Sequence, residues 1–576
     1  MDNHQLADRF ERIANLLDIK GEVIYVTLAY RRAAESLRAH PQEAAEVLRQ
    51  GKLTAIPGIG KAIAEKITEL LTTGRLEFLE RLEQEIPPSL LEMLEVPDVG
   101  PKKVALFWKQ AGITSLAELE SAANEGRLRR LPGLGEKSEQ RILAGIESIK
   151  RRSKRMLLGT ARPIGLRWLE WLRALPGVRN AEAAGSLRRW RATIGDLDLV
   201  ASADDPAAVM QAFSNHPEVN RVLGSGENKS SVELSNGLKI QLWLQPHERF
   251  GTLLQFVTGS KEHNVRLREL AQRQGLSLSE RCLTSSDGKE LTFAREEDVY
   301  RALGLEWIPP ELREDHGEIQ AAGNGSLPEL ISTADLKAEL HSHSTWSDGV
   351  LSIAEMARAA RSRGLQMLAI TDHTQSLGVA NGLTAERLLQ QRREIDAVQE
   401  EMGADFILLQ GAEVEIKADG SLDYPDEVLA RLDLVIASLH VSLRQPREEI
   451  TARLLKAIHN PQVDIIGHPS GRLLPNREGA DLEWETILTA ARETGVALEI
   501  NASPSRLDLD EAHAHRAVQL GILLTINTDA HSQADLDLAE YGISVARRAW
   551  ISAPQVLNTW QPQQLRAWLN RRGGRQ

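Results

Sequence analysis

Five short apolar runs in the C-terminal part of the chain constrain its fold most: MLAITDH (367–373), DLVIASLH (433–440), VDIIGHP (463–469), VALEINAS (496–503) and LLTINTDAH (523–531). Each has the length of one buried strand, and helical stretches separate them. Strands and helices in alternation give a parallel sheet with helices outside it, an α/β layer or barrel. Such folds place their chemistry at the carboxyl ends of the strands, where ligand-type residues stand here.

Nine of the 15 histidines lie beyond residue 336. In LHSHSTWSDG, His341 and His343 are two apart on a strand, so both rings share a face, and Asp348 follows on the turn. His373, Glu413 in LLQGAEVEI, His440, His468, and Asp529 with His531 come later. A lone strand-end histidine is ordinarily structural. A repeated set of imidazoles and carboxylates at one barrel mouth can instead hold two or three divalent metals. Such a cluster activates water and stabilises displacement at a phosphate ester. His513 and His515 in DEAHAHRAV also form an H-x-H, but on a helical pattern where i and i+2 diverge, and they are left out of the set.

At 576 residues the chain needs several cores. Its single cysteine, Cys282, excludes a disulfide framework or thiolate metal site and fits a reducing, cytoplasmic compartment. MDNHQLADRFERIA lacks an apolar signal segment and no run reaches a membrane span, so no membrane contact is expected. A net charge of −12 argues against a polyanion partner only if it is evenly spread. Residues 127–191 hold 17 Lys/Arg against five Asp/Glu, including RLRR, KRRSKR and RRWR. Such a segment is either a phosphate-binding footprint or a solvated helix face, and charge alone does not decide.

Three segments resemble one another: IPGIGKAIAEKI (56–67), VPDVGPKKVALF (96–107) and LPGLGEKSEQRI (131–142). Gly58 with Gly60, Gly100, and Gly133 with Gly135 permit tight turns whose backbone amides point outward at the start of a helix. That geometry suits a DNA phosphate, or a monovalent cation bridging to one. The trio resembles helix-hairpin-helix DNA-binding elements.

In AGSLRRWRATIGDLDLV (184–200), Asp196 and Asp198 alternate on a strand, so their carboxylates share a face and can bracket two Mg²⁺ or Mn²⁺ ions. Gly185 and Ser186 open a helix whose start can receive a triphosphate, with Arg188 and Arg189 beside it. A D-x-D alone ordinarily marks a surface pair. Preceded by G-S-x-R-R, it resembles the nucleotidyltransferase palm of family X DNA polymerases, the beta-like group. That resemblance spans about residues 1–310. AYRRAAESLR and the first glycine segment look like the family's 8-kDa region, and the other two glycine segments fall near its fingers. FVTGSKEHN (256–264) resembles its nucleotide-pocket segment, which implies Phe256 and Gly259 as pocket residues and a dNTP as ligand. Lys66 matches the lysine that forms a Schiff base with an abasic sugar in beta-like members; the other reading is a solvated helix lysine.

The C-terminal set H-x-H…SDG…TDH…GAE…SLH…GHP…TDAH resembles the PHP (polymerase and histidinol phosphatase) domain over about 240 residues. It implies a distorted (β/α)7 barrel with up to three Mn²⁺ or Zn²⁺ ions. Arg506 in EINASPSRLDL is then a phosphate clamp or a structural salt-bridge partner. Palm and PHP in one chain resemble the bacterial family X polymerases, which combine gap filling with 3′→5′ exonuclease action on gapped duplexes or 3′ ends. The expected layout is multidomain: an 8-kDa-like helix-hairpin-helix domain at 1–80, fingers-like helices at 81–155, an α+β palm at 156–246 and a thumb at 247–312. A linker at 313–335 and the PHP domain at 336–576 complete it, in a monomer.

One position departs from the family pattern. Its third metal-binding Asp falls 18 residues before the Gly of T-G-S, which here is Gln241, and the arginine expected two residues later is Trp243. An amide is a neutral, weak ligand and cannot accept the proton of a primer 3′-hydroxyl. In GLKIQLWLQP, Ile240, Leu242 and Leu244 alternate against Lys239, Gln241 and Trp243. A three-residue loop at SNG pairs Glu233 with Lys239 and brings Glu233 near Gln241 as a candidate substitute acid. The expected activity is 3′-terminal excision with polymerase activity weak or lost. The alternatives are a full polymerase plus exonuclease, a non-catalytic DNA-end scaffold, and a small-molecule phosphatase.

Overall fold

A computed structural model describes residues 3–40, 42–96, 99–152, 155–475 and 477–572. Pro97 and Asp98 of the second glycine segment, and Ser153 and Lys154 of the KRRSKR run, lie outside the described residues. The chain divides into two compact units: residues 1–154 with segments 343–352 and 372–389, and residues 155–342, 353–371 and 390–576.

The N-terminal residues are helical. Helices Asn3–Lys20 and Ile24–Ala39 pair through a stack in which the Phe10 and Tyr30 rings lie 6.0 Å apart. One apolar core runs from Leu6 to Ile146, so the two helix-hairpin-helix regions expected as separate domains share an interior. Each glycine segment ends a short 3₁₀ turn and starts a helix: Lys61–Thr73, Pro101–Ala111 and Glu136–Arg152. Gly58 (φ +80°) and Gly133 (φ +76°) adopt the left-handed backbone that the turn requires.

Residues 156–246 build a five-stranded sheet in the order Val178–Ala183, Asp196–Ala203, Lys239–Leu244, Lys229–Leu234, Val219–Ser225. The strand Lys239–Leu244 buries Ile240, Leu242 and Leu244 and leaves Gln241 and Trp243 half-exposed, as its alternation requires. Glu233 pairs with Lys239, the register expected from the SNG loop. Beyond the sheet, helices Phe250–Thr258, Lys261–Arg273 and Glu296–Ala302 accompany a small three-stranded antiparallel sheet.

Residues 313–335, read from composition as a linker, are ordered and packed. They carry the helix Glu318–Asn324, and Ala322, Ile319, Leu327 and Leu330 join the apolar cluster of Leu267, Val299 and Leu303. Gly-rich polar composition hid this because the buried charges there, Arg313 and Glu318, are paired rather than solvated.

The C-terminal sheet has seven parallel strands in sequence order: Ala338–Ser342, Met367–Ile370, Ile407–Glu415, Leu434–Ser438, Ile465–Gly467, Ala497–Asn501 and Leu524–Asn527. A parallel bridge between Ser342 and Ala530 brings the first and last strands together, leaving a nearly closed barrel. Among the described residues no helix is long and apolar enough to cross a membrane.

Candidate metal centre and palm cavity

Strand pairing decides the palm geometry. Asp196–Ala203 runs parallel to Lys239–Leu244 with Asp198 opposite Gln241. Leu197 and Leu199 point into the core, so Asp196 and Asp198 face the same side as Gln241 and Trp243. The Gln241 amide Nε2 donates to Asp196 Oδ2 at 2.5 Å, and the Trp243 indole Nε1 donates to Asp198 Oδ1 at 3.3 Å. Burial and the neighbouring Asp196 push the Asp198 carboxyl up to about 7. Gly185 (φ +55°) packs against Asp198; a Cβ there would overlap Asp198 Oδ2 and displace that carboxylate.

These residues line a cavity of about 740 Å³ together with Ser186, Arg189, Phe256 and Gly259. Arg189 is held there by Glu314 (3.0 Å) and by the carbonyl of Thr258 (2.5 Å). Its neighbour Arg188 points elsewhere. Both its terminal nitrogens donate to buried Glu296 at 2.8 Å, which places it in the support beneath the cavity. Glu233 lies 3.2 Å from Arg221 in an ion pair, and it is not part of the cavity wall. Lys66 is half-exposed on its helix, with its ammonium 5.2 Å from the Phe78 ring centroid.

In the barrel, Glu413 is the hub. His468 Nε2 lies 2.8 Å from it, His440 Nε2 3.2 Å and His341 Nε2 3.4 Å. His341 Nε2 also lies 3.6 Å from Asp529, and His531 turns its Nδ1 to the Asp529 carbonyl at 2.7 Å. In the other unit, His343 and His373 stack at 4.3 Å, and Asp348 approaches them at 3.9 and 3.6 Å. Of the nine residues expected as ligands, six (His341, Glu413, His440, His468, Asp529 and His531) thus gather in the barrel unit and three (His343, Asp348 and His373) in the other. His513 bonds Asp510 and His515 bonds the carbonyl of Ala549, away from the cluster.

The electrostatics suit cations. Burial alone would lower the His440 pKa, yet Glu413 and Glu415 raise it to about 9. A carboxylate-rich pocket that favours a positive charge so strongly fits a divalent metal. His468 Nδ1 and Arg506 Nη1 are buried with no hydrogen-bond partner among the described residues, while Arg506 Nε lies 3.7 Å from Asp529.

A supporting layer escaped the sequence reading. Glu499 accepts from His341 Nδ1 at 2.8 Å, and Glu415 from His440 Nδ1 at 2.7 Å. Glu415 sits two residues after Glu413, already singled out, while Glu499 lies inside the strand run VALEINAS, where no ligand position was marked. For Glu415 the period-two rule was the available signal.

Four family models match: a helix-hairpin-helix domain at residues 1–76, a SAM-like helix-hairpin-helix tandem at 90–148, the DNA polymerase beta thumb at 253–314 and the PHP domain at 339–503. The chain is 39% identical over 564 residues to the DNA polymerase/3′-5′ exonuclease PolX of Bacillus subtilis, covering 97% of this chain and 98% of that protein. It is 35% identical over 236 residues to a probable phosphatase of Thermoanaerobacter sp., covering 39% of this chain and 91% of that one. DNA polymerase lambda of Rattus norvegicus is 24% identical over 346 residues, covering 54% of this chain and 56% of the relative.

Proposed function

Because this chain belongs to the family X DNA polymerases that carry a C-terminal PHP domain, we propose that it is a DNA-repair enzyme whose PHP half removes 3′-terminal nucleotides and whose palm is weak or silent in synthesis. The observation that carries the first half is the convergence of imidazole and carboxylate atoms around Glu413. Up to three Mn²⁺ or Zn²⁺ ions would be held by His341, His343, Asp348, His373, Glu413, His440, His468, Asp529 and His531. When bound, they activate water and neutralise charge on the phosphodiester. Arg506, with a buried and uncommitted Nη1, is suited to clamp the scissile phosphate, and Glu415 and Glu499 fix the imidazoles that face it.

Gapped duplexes or free 3′ ends are the proposed substrates in the cytoplasm, gripped by a monomer. The turns at Gly58, Gly60, Gly100, Gly133 and Gly135 offer backbone amides to DNA phosphates or to a bridging monovalent cation.

The palm reading rests on Gln241. Its amide donates to Asp196 at the position where a third carboxylate would bind the catalytic metal, Mg²⁺ or Mn²⁺, and take the primer proton. Glu233, the candidate substitute, is committed to Arg221. A full polymerase is the second reading, favoured by a relative whose name includes that activity. Lys66 is proposed as a solvated helix residue rather than a lyase nucleophile.

A one-nucleotide gapped duplex with Mn²⁺ and dNTPs separates these readings, using wild type, Gln241→Asp and His341→Ala. Shortening by wild type that His341→Ala abolishes is expected. Robust extension by wild type would overturn the impaired palm, and persistent shortening by His341→Ala would remove excision from the PHP residues.

A further inference from the structure

The palm residues do not fit a pair of divalent ions bridged by three carboxylates. Two of the groups that would have to accept a metal instead face protein donors: Asp196 receives the Gln241 amide N–H and Asp198 the Trp243 indole N–H. A third feature completes the substitution. Lys229 stands directly opposite Trp243 across the antiparallel pair, and its ammonium lies 3.8 Å from the indole centroid. That ring donates to Asp198, and the Lys229 charge acts on the same carboxyl. An exposed ammonium thus stands on the wall of the cavity, against the indole that donates to Asp198.

The rest of the wall has the same sign. Arg155, Arg189, Arg191, Lys229, Lys261 and Arg268 line it, six cations against the four carboxylates of Asp196, Asp198, Glu262 and Glu314. Arg189 is pinned by Glu314 and the Thr258 carbonyl, and Arg155 donates to Thr193 at 2.8 Å, so two of these cations are already oriented before any ligand arrives. Phe256 and Val257 supply an apolar margin at the same wall.

We propose that the palm cavity is a metal-independent nucleotide-binding site: it holds a nucleoside triphosphate through its phosphate tail, with Lys229 standing in for the charge that a divalent ion would bring. This rests on the reading that the palm is impaired in synthesis, but it makes a separate claim about binding. A guanidinium and an ammonium can neutralise a phosphate tail with no metal, whereas in-line attack would still lack its carboxylate base. Binding and synthesis therefore come apart at this site.

The test is dATP binding to the full chain by calorimetry, in EDTA and in Mg²⁺. Wild type is expected to bind with affinities that agree within about threefold in the two conditions, a difference below ~0.7 kcal/mol. Inorganic triphosphate should compete, since the tail carries the recognition. Lys229→Met is expected to lose about tenfold or more in EDTA, while Lys229→Arg keeps the cation and should retain binding. Melting curves for both variants separate loss of charge from loss of fold. Gln241→Asp should make binding depend on Mg²⁺. A wild type that binds only with Mg²⁺, or not at all, overturns the proposal, as does a folded Lys229→Met that binds like wild type. Extension of gapped DNA by wild type would instead sink the impaired-palm reading, so the two failures are distinguishable.

Discussion

Glu499 accepts the Nδ1 hydrogen of His341 at 2.8 Å and so turns the other imidazole nitrogen toward Glu413 and Asp529. The same carboxylate accepts the backbone N–H of His468 at 2.7 Å and the Asn527 amide at 2.9 Å. It is fully buried. One side chain of the strand Ala497–Asn501 thereby fixes the His341 imidazole and the backbone that carries His468.

Glu499→Gln is expected to weaken metal loading more than it weakens the fold. A glutamine would aim an NH₂ at donors that already point inward, so at least one of these bonds is lost. Changes to partners of this kind typically cost about 10–100-fold in metal affinity or activity. Metal-to-protein ratios after dialysis, together with exonuclease rate at rising Mn²⁺, check it. Restoration of the rate by excess Mn²⁺ is expected; a wild-type metal ratio at low Mn²⁺ would count against the role.

Acid should draw down the stability that the buried junction beneath the palm contributes. Burial by itself would raise the Glu296 pKa, but Arg313 and Arg188 outweigh it and hold the carboxyl far below the usual carboxylate range. The folded-state pKa is depressed, so the stabilisation is complete above the unfolded value near 4.5 and fades as pH falls toward the folded value. Glu296→Gln should flatten the decline in melting temperature below about pH 4.5. Its melting temperature at neutral pH should be lower, because two guanidinium groups lose a buried partner.

Much of this architecture is written in local periodicity. The barrel strands announce themselves as apolar runs of one strand length, and their ends carry the histidines because that is where side chains leave the core. The hairpin register followed from the SNG loop and the alternation beside it, Glu233 opposite Lys239, while the place of Gln241 on the aspartate face followed from its spacing to the T-G-S segment. What stayed hidden depends on pairing between distant segments. Arg188 and Arg189 are adjacent in sequence, yet one serves buried Glu296 and the other the cavity wall, a split set by where Glu296 and Glu314 arrive. Lys229 gained its place only through cross-strand pairing with Trp243.

Arg548 gives the same lesson in a testable form. This nearly buried side chain donates to the Arg189 carbonyl at 2.7 Å, to Glu314 at 3.1 Å and to Glu511 at 2.9 Å. It ties the element that carries the palm arginines to the helix Glu511–Gln519 of the PHP region. Arg548→Met should cost roughly 3 kcal/mol, the scale for removing one partner from a buried charge cluster. Denaturant unfolding measures this. A loss below about 1 kcal/mol would mean the cluster behaves as an exposed one.

Gln241→Asp should be less stable without metal and more stable with it. The change removes the donor on Asp196 and sets a third carboxylate beside two, one of which, Asp198, is already pushed up to about 7 by burial and by Asp196. In wild type the raised Asp198 pKa means the folded state binds the proton more tightly than the unfolded one. Stability contributed by that group is therefore lost as pH rises from its ordinary value near 3.8 to about 7, and levels off above. A third acid deepens that slope. In EDTA at pH 8 the variant should fall below wild type by roughly 1–3 kcal/mol, the cost of an unsatisfied buried group plus repulsion. Added Mn²⁺ should close the gap, because a cation removes the repulsion and gains three ligands. Melting in EDTA and in Mn²⁺ reads both effects, and extension of a gapped duplex by the variant, absent in wild type, reads the chemistry. A variant that melts like wild type in EDTA and ignores Mn²⁺ would show that Gln241 lies too far from the aspartates to complete a metal site.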